Sequence, residues 1–312
     1  MFDAKEFISK KVEWIRQEVG DEKAIVAVSG GVDSSVTAVL GFKALKNKLT
    51  VVFLDDGLMR EGEPEAVTKI FKDMGIETKL YDVKKNFLQA MKNLTDPEEK
   101  RKAFRQTFYK ALANIARELG VKILLQGTIA ADVVETVRGV KSQHNVLEQI
   151  GINPLEKFGL KIIEPLKELY KPEVRKVAKE LNLPDSIVNR KPFPGPGLSI
   201  RVIGEVTPEK VELVRKATKI VEEESKNLPS FQVFAVLLND KATGMTEEGT
   251  RAYGNIVVIR AVDSKDAMTA EPTRIPWELL FKMRNRIVSE IPGVSRVLYD
   301  ITSKPPATIE FE

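Results

Sequence analysis

The chain has 312 residues, 43% of them hydrophobic and 30% charged, which supplies a packed core under a solvated surface and excludes a disordered chain. It holds no Cys and a single His, His144, which excludes disulfides, thiolate metal sites, a cysteine nucleophile and any His-pair metal site. The net charge of +4 is small beside 49 basic and 45 acidic residues, so it suits anionic ligands without calling for nucleic acid.

The N-terminal MFDAKEFISKK is charged and amphipathic, unlike a signal peptide. Apolar runs such as 51–54 and 256–259 are strand-length, so no membrane span and a cytoplasmic location are expected. Along the first half, strand patterns at 24–28, 51–54, 78–83 and 123–126 alternate with helical patterns at 33–46, 63–74 and from Asp96 to Leu119. Asp96 as cap and Pro97 in the first turn mark the start of the last of these. This order predicts an α/β fold, a parallel sheet with helices on both faces, whose ligands bind at the carboxyl ends of strands. Residues 127–159 read as loop plus a short helix, and 171–181 as a helix opened by Pro172.

Lys191-Pro-Phe-Pro-Gly-Pro-Gly197 cannot form a helix or a central strand, so the domain boundary is placed there. Beyond it the pattern is a smaller α+β unit. It has helices at 207–224 and 276–290 and strands at 232–238, 255–262, 295–301 and 307–311.

Chemistry concentrates in Ser29-Gly30-Gly31-Val32-Asp33-Ser34-Ser35, which follows a strand and opens a helix. Two glycines allow a tight turn and close approach of the backbone to a ligand. The free amides of the helix start form an anion cradle, and three serines add donors. A carboxylate, Asp33, inside a phosphate site makes sense when Mg2+ sits between them. The motif is neither a Walker A loop, since its lysine is missing, nor G-x-G-x-x-G. A strand-to-helix turn with a serine cap would not need seven such positions together.

The loop resembles the pyrophosphate-binding loop of the ATP pyrophosphatase family, which cuts ATP between the α and β phosphates. NAD synthetases, asparagine and argininosuccinate synthetases and tRNA-thiolating enzymes share it. Three further segments narrow the choice. They are Gln126-Gly127-Thr128 with Asp132 and Glu135, Lys191–Leu198, and Lys304-Pro-Pro-Ala-Thr-Ile-Glu-Phe-Glu312. With the loop, they are similar to the ATP pyrophosphatase subunit of GMP synthetases, from Ala24 to Glu312.

The resemblance implies an adenine nucleotide alpha-hydrolase-like ATP pyrophosphatase domain over 1–190. It also implies an XMP-binding and dimerisation domain of α+β type over 191–312. The implied reaction converts XMP, ATP and ammonia to GMP, AMP and pyrophosphate through an adenylated xanthine 2-oxygen. Ser29, Gly30, Gly31, Val32, Asp33, Ser34 and Ser35 are implied to hold pyrophosphate and Mg2+, with Gly127 and Thr128 beside them and Val28 and Leu54 flanking adenosine. Lys141 is implied to close over the phosphates as part of a lid, with a solvated loop lysine as the alternative reading. His144 either orients a phosphate or caps the loop, and Asp132 either supports the metal or caps a short helix.

XMP is implied to contact Arg60, Gly195, Pro196, Gly197, Lys304, Thr308 and Glu310, the Pro-Gly stretch reading as well as a stiff linker. Departures are Asp56 where the family often has Asn, Phe311 where many have Trp, and Gln143 in place of a second His. Without a Cys the chain cannot carry the glutaminase triad of many GMP synthetases. A separate glutaminase subunit is therefore expected, the resemblance of the C-terminal unit to the family's dimerisation domain implies a homodimer, and no nucleic-acid partner is expected. An NAD synthetase and a silent nucleotide-binding protein are the rival readings.

Overall fold

Apolar strands and amphipathic helices alternate through the first 190 residues. The structure, a computed structural model, describes residues 2–137, 153–245, 249–265 and 267–312. The chain divides into two compact units. The first comprises Met1–Asp56, Gly62–Phe87 and Phe104–Arg190, and the second Gly57–Glu61, Leu88–Ala103 and Lys191–Glu312.

In the first unit, strands β1 (Ala24–Ala27), β2 (Leu49–Asp55), β3 (Thr78–Asp82), β4 (Ile123–Leu125) and β5 (Lys161–Ile163) form one sheet in the order β3-β2-β1-β4-β5. Every pairing is parallel. β1, β2 and β4 are almost wholly buried, as expected of strands covered on both faces. Helix α1 (Ala4–Val19) starts at Asp3, whose carboxylate accepts the amides of Lys5 and Glu6. It forms from the amphipathic N-terminal stretch and adds to the helices expected from sequence.

Ile25, Val52, Leu54 and Leu124 pack against Tyr109, Leu112 and Ile115 of a long helix, α5 (Pro97–Glu118), which covers one face. Side chains alternate along a strand, so Leu125 points to the opposite face. There it meets α2 (Val32–Leu45), where a Cβ on Gly41 would stand 2.5 Å from Leu125 Cδ1. The remaining helices of the first 190 residues are α3 (Glu63–Asp73), α4 (Lys84–Met91), α6 (Ala130–Val137), α7 (Pro154–Phe158), α8 (Lys171–Glu180) and α9 (Asp185–Val188).

The second unit contains a 3-10 turn at Gly197–Arg201 and helices α10 (Pro208–Glu224) and α11 (Trp277–Glu290). Its sheet has four strands, β6 (Gln232–Met245), β7 (Arg251–Asp263), β8 (Glu271–Pro272) and β9 (Val294–Asp300). β7 pairs antiparallel with β6 and β8 and parallel with β9. The β6–β7 pair runs well past the apolar stretches expected from sequence. Beyond a register shift between Leu237 and Lys241, the backbone ladder continues with mostly exposed side chains, a pattern hydrophobicity does not reveal.

The strand expected at 307–311 is absent. Pro305 and Pro306 have no amide to donate, and only Lys304 makes a bridge, with Ala270. Fully buried basic side chains hold this segment instead. Arg260 donates to the carbonyls of Thr302 (2.5 Å) and Thr308 (3.0 Å), and Lys100 pairs with Glu312. Ile309 packs with Phe234, Val236, Val258 and Val262.

Candidate active site

β1 ends at the point where the sheet's connections diverge, β2 lying on one side and β4 on the other. In open α/β sheets this divergence opens a crevice at the strand carboxyl ends. Residues 28–31 fill the turn from β1 into α2. Gly31 occupies the N-cap without a side chain to satisfy the helix amides, which leaves the positive end of the helix to a ligand.

Gly30 has φ +76°, and a Cβ there would stand 2.3 Å from Arg190 Nη1 and 2.6 Å from Val67 Cγ2. Gly127 closes the opposite side, where a Cβ would lie 2.9 Å from Ser34 N and from Asp33 C. A side chain at Gly30 would have to displace Arg190 and Val67, and one at Gly127 would press on the backbone of α2. Ser34 Oγ accepts from Ser29 N at 3.2 Å and donates to Gly31 O at 3.1 Å, with Ser29 Oγ 3.2 Å away. Ser35 is buried, and its hydroxyl has no partner among the described residues. Thr128 accepts from Gln126 Nε2, and Gln126 in turn accepts from Tyr109. Val28 and Leu54 are both buried, Leu54 within the core cluster under α5.

Asp33 sits in the first turn of α2 with its two oxygens in different circumstances. Lys171 Nζ donates to Oδ2 at 2.5 Å, while Oδ1 is buried without a partner among the described residues. Sequence reading assigned Lys171 no role. A signal was present, since a lysine in the first turn of a helix opposes the helix dipole. A second strut also escaped notice. Arg190 donates to Gly30 O at 3.0 Å and pairs with the buried Glu63 at 2.5 Å, bracing the turn from beneath.

The orphaned Asp33 oxygen is a donor suited to a divalent cation. No group of three or more His, Cys, Asp or Glu that could hold a metal exists among the described residues. A cation here would thus take most of its ligands from phosphate and water, as Mg2+ commonly does. Asp132 Oδ2 accepts the amide of Ile129 at 3.1 Å, placing it at the start of α6. At the rim, Lys84 bridges Asp55 (2.8 Å) and Asp82 (3.7 Å), and the Asp55 hydrogen bond raises the lysine pKa. Lys141 and His144 lie outside the described residues.

The second unit gathers the other predicted residues. Arg60 pairs with Glu222 at 2.7 Å and lies 4.2 Å from the Phe193 ring centroid, beside a cavity of about 280 Å³ lined also by Leu198, Arg215, Thr218 and Lys219. Arg215 fixes the 57–61 segment through Gly57 O and Met59 O. Gly197 has φ +62°, and a Cβ would come 2.4 Å from Leu58 O. Pro196 O accepts from Ser199, and Gly197 N donates to Pro194 O, while Gly195 stays partly exposed. Burial pushes the Lys191 ammonium down, and its Nζ donates to Ser230. Lys304 Nζ donates to Ala267 O at 2.8 Å, and Thr308 Oγ1 donates to Glu310 O. The Glu310 carboxylate receives Arg201 through Nε and Nη2, both at 3.0 Å, and Gln232 at 2.8 Å. Neither Arg201 nor Gln232 was singled out from sequence.

Residues 3–195 match the NAD synthase family, and residues 219–311 match the GMP synthase C terminal domain. The chain is 54% identical to a subunit of the glutamine-hydrolyzing GMP synthase of Methanocaldococcus jannaschii and 50% identical to that of Methanopyrus kandleri, all of each chain being covered. It is 53% identical to the Pyrococcus abyssi protein of the same name, over 98% of both chains. The chain belongs to the family of GMP synthase synthetase subunits. Among solved structures, an NMN synthetase from Francisella tularensis is 19% identical with a TM-score of 0.49, over 64% of this chain and 79% of that one. In this GMP synthase family member, no helix among the described residues is long and apolar enough to cross a membrane.

Proposed function

We propose that the chain makes GMP from XMP, ATP and ammonia, with the ammonia delivered by a separate glutaminase subunit. The observation that carries this reading is a half-partnered carboxylate, Asp33, at a glycine-backed helix start, in a chain that matches GMP synthase subunits along its whole length. In the first step the xanthine 2-oxygen attacks the ATP α-phosphorus and the bond to pyrophosphate breaks. In the second, ammonia adds at C2 and gives up a proton to solvent, the C2–O bond breaks and AMP leaves.

Such steps depend on fixed donors and positive charge around the phosphates more than on covalent catalysis. The α2 amides with Ser29, Ser34 and Ser35 hold the leaving pyrophosphate. Gly127 lets the strand end approach that helix start, and the buried Thr128, held by Gln126, follows it. Mg2+ on Asp33, with Asp132 as a second candidate ligand, would neutralise phosphate charge. Lys171 turns from Asp33 to the phosphates, and Lys141 and His144 close over them. Arg60 and Lys304 face the XMP phosphate, while Gly195–Gly197, Thr308 and Glu310 face its base. The exposed Trp277, Phe281, Leu298 and Ile301 support a homodimer formed through the second unit.

The test is the purified chain with ATP, Mg2+, XMP and ammonium at mildly alkaline pH, where more NH3 is free. GMP, AMP and pyrophosphate that require both XMP and ammonium are expected. The NAD synthase match over 3–195 makes deamido-NAD the necessary control. Turnover of deamido-NAD with XMP inert would reject the proposal.

A further inference from the structure

We infer that Arg201 is a positioning residue for the acceptor nucleotide, acting through Glu310; this rests on the acceptor-site reading above. Arg201 is fully buried, a costly place for a guanidinium unless it organises something. Its Nε and Nη2 grip the Glu310 carboxylate in the bidentate manner that only arginine provides. Its plane lies over two rings, 4.0 Å from the Phe234 centroid and 4.9 Å from that of Phe193. Phe193 is shared with Arg60, whose guanidinium lies 4.2 Å from the same centroid. One buried cation is thereby linked to both ends of the proposed acceptor site, the base-facing Glu310 and the phosphate-facing Arg60.

The hydrogen bonds around Glu310 sharpen this assignment. A carboxylate oxygen has two lone-pair sites. Oε1 of Glu310 takes Arg201 Nη2 and Gln232 Nε2, so both of its sites are used. Oε2 takes Arg201 Nε alone among these contacts and keeps one site for an N–H of a bound base. Arg201 Nη1 is itself buried without a partner among the described residues. Arg260 differs in kind, since it grips the Thr302 and Thr308 carbonyls of the same segment and so sets its backbone course. Arg201 sets the functional carboxylate.

The experiment measures XMP and ATP kinetics, and XMP binding by calorimetry, for the wild type, Arg201→Lys, Glu310→Gln and the double variant. Arg201→Lys keeps the charge and loses the fork, so the XMP KM should rise about tenfold or more while the ATP KM stays within about twofold. The double variant should be no worse for XMP than the worse single one, because both changes remove one interaction. An unchanged XMP KM, equal rises for both substrates, or additive losses in the double variant would overturn the inference. Should Arg201→Lys not fold, Phe193→Leu keeps the ion pair while removing the shared ring. It should raise the XMP KM selectively, and an unaltered value would count against the proposal. A wild type that neither binds nor converts XMP would bring down the acceptor reading itself, and this inference with it.

Discussion

Asp33 is held by Lys171 on one oxygen, and its other oxygen is buried without a partner among the described residues. This arrangement predicts two separable outcomes. Asp33→Asn should lower AMP formation by about 10²-fold or more, with the circular dichroism spectrum unchanged. Retention of full activity would reject Asp33 as the proposed Mg2+ ligand. Lys171→Met should raise the ATP KM and leave the XMP KM near its wild-type value in the same assay. Gly30→Ala tests the strut beneath the loop. At φ +76° and 2.3 Å from Arg190 Nη1, a methyl group must displace the Arg190–Glu63 pair, so about 1–3 kcal/mol of stability should be lost in urea titration. The glycine loop was legible in sequence because its parts are contiguous. Lys171 was not, because 138 residues separate it from Asp33.

At the scale of elements, the segment 302–312 is the informative one. It lacks a strand and is held by buried cations, of which Lys100 pairs with Glu312 and donates to Val202 O. Burial, outweighing the attraction of Glu312, lowers the Lys100 pKa from the ordinary 10.5. Between that lowered value and 10.5 the unfolded chain binds more protons than the folded one, so this group makes stability rise with pH. Lys100→Met should remove that part of the slope, which urea unfolding at pH 8 and at pH 10 would reveal as a wild type gaining on the variant. Equal gains for both proteins would place Lys100 outside the linkage. Alternation and apolarity at 307–311 had suggested a strand, but they do not register that Pro305 and Pro306 withhold amides or that distant arginines supply donors in their place.

For the whole molecule, the exposed aromatic pair Trp277 and Phe281, with ring centroids 5.7 Å apart on α11, bears on assembly. If the proposed homodimer forms there, the wild type should sediment at twice the chain mass. Trp277→Asp with Phe281→Asp should then shift it toward the monomer, with helix content unchanged. A monomeric wild type, or a double variant that stays dimeric, would move the interface elsewhere. Glutamine should support GMP synthesis only when a glutaminase is added, since a chain without cysteine has no thiol for that hydrolysis.

The sequence alone determined the parallel order of strands and helices, the glycine-serine turn between β1 and α2, the exclusion of thiol and His-pair chemistry, and the change of pattern near residue 191. These properties are local, written in hydrophobic period, turn residues and composition. Tertiary structure decided which charges meet: Lys171 with Asp33, Arg190 with Gly30 and Glu63, and Arg201 with Glu310. It also decided that 57–61 and 88–103 belong with the C-terminal unit. Partners so distant along the chain leave no periodic trace, because a long-range ion pair is specified by packing in space and only one of its residues appears in any local window.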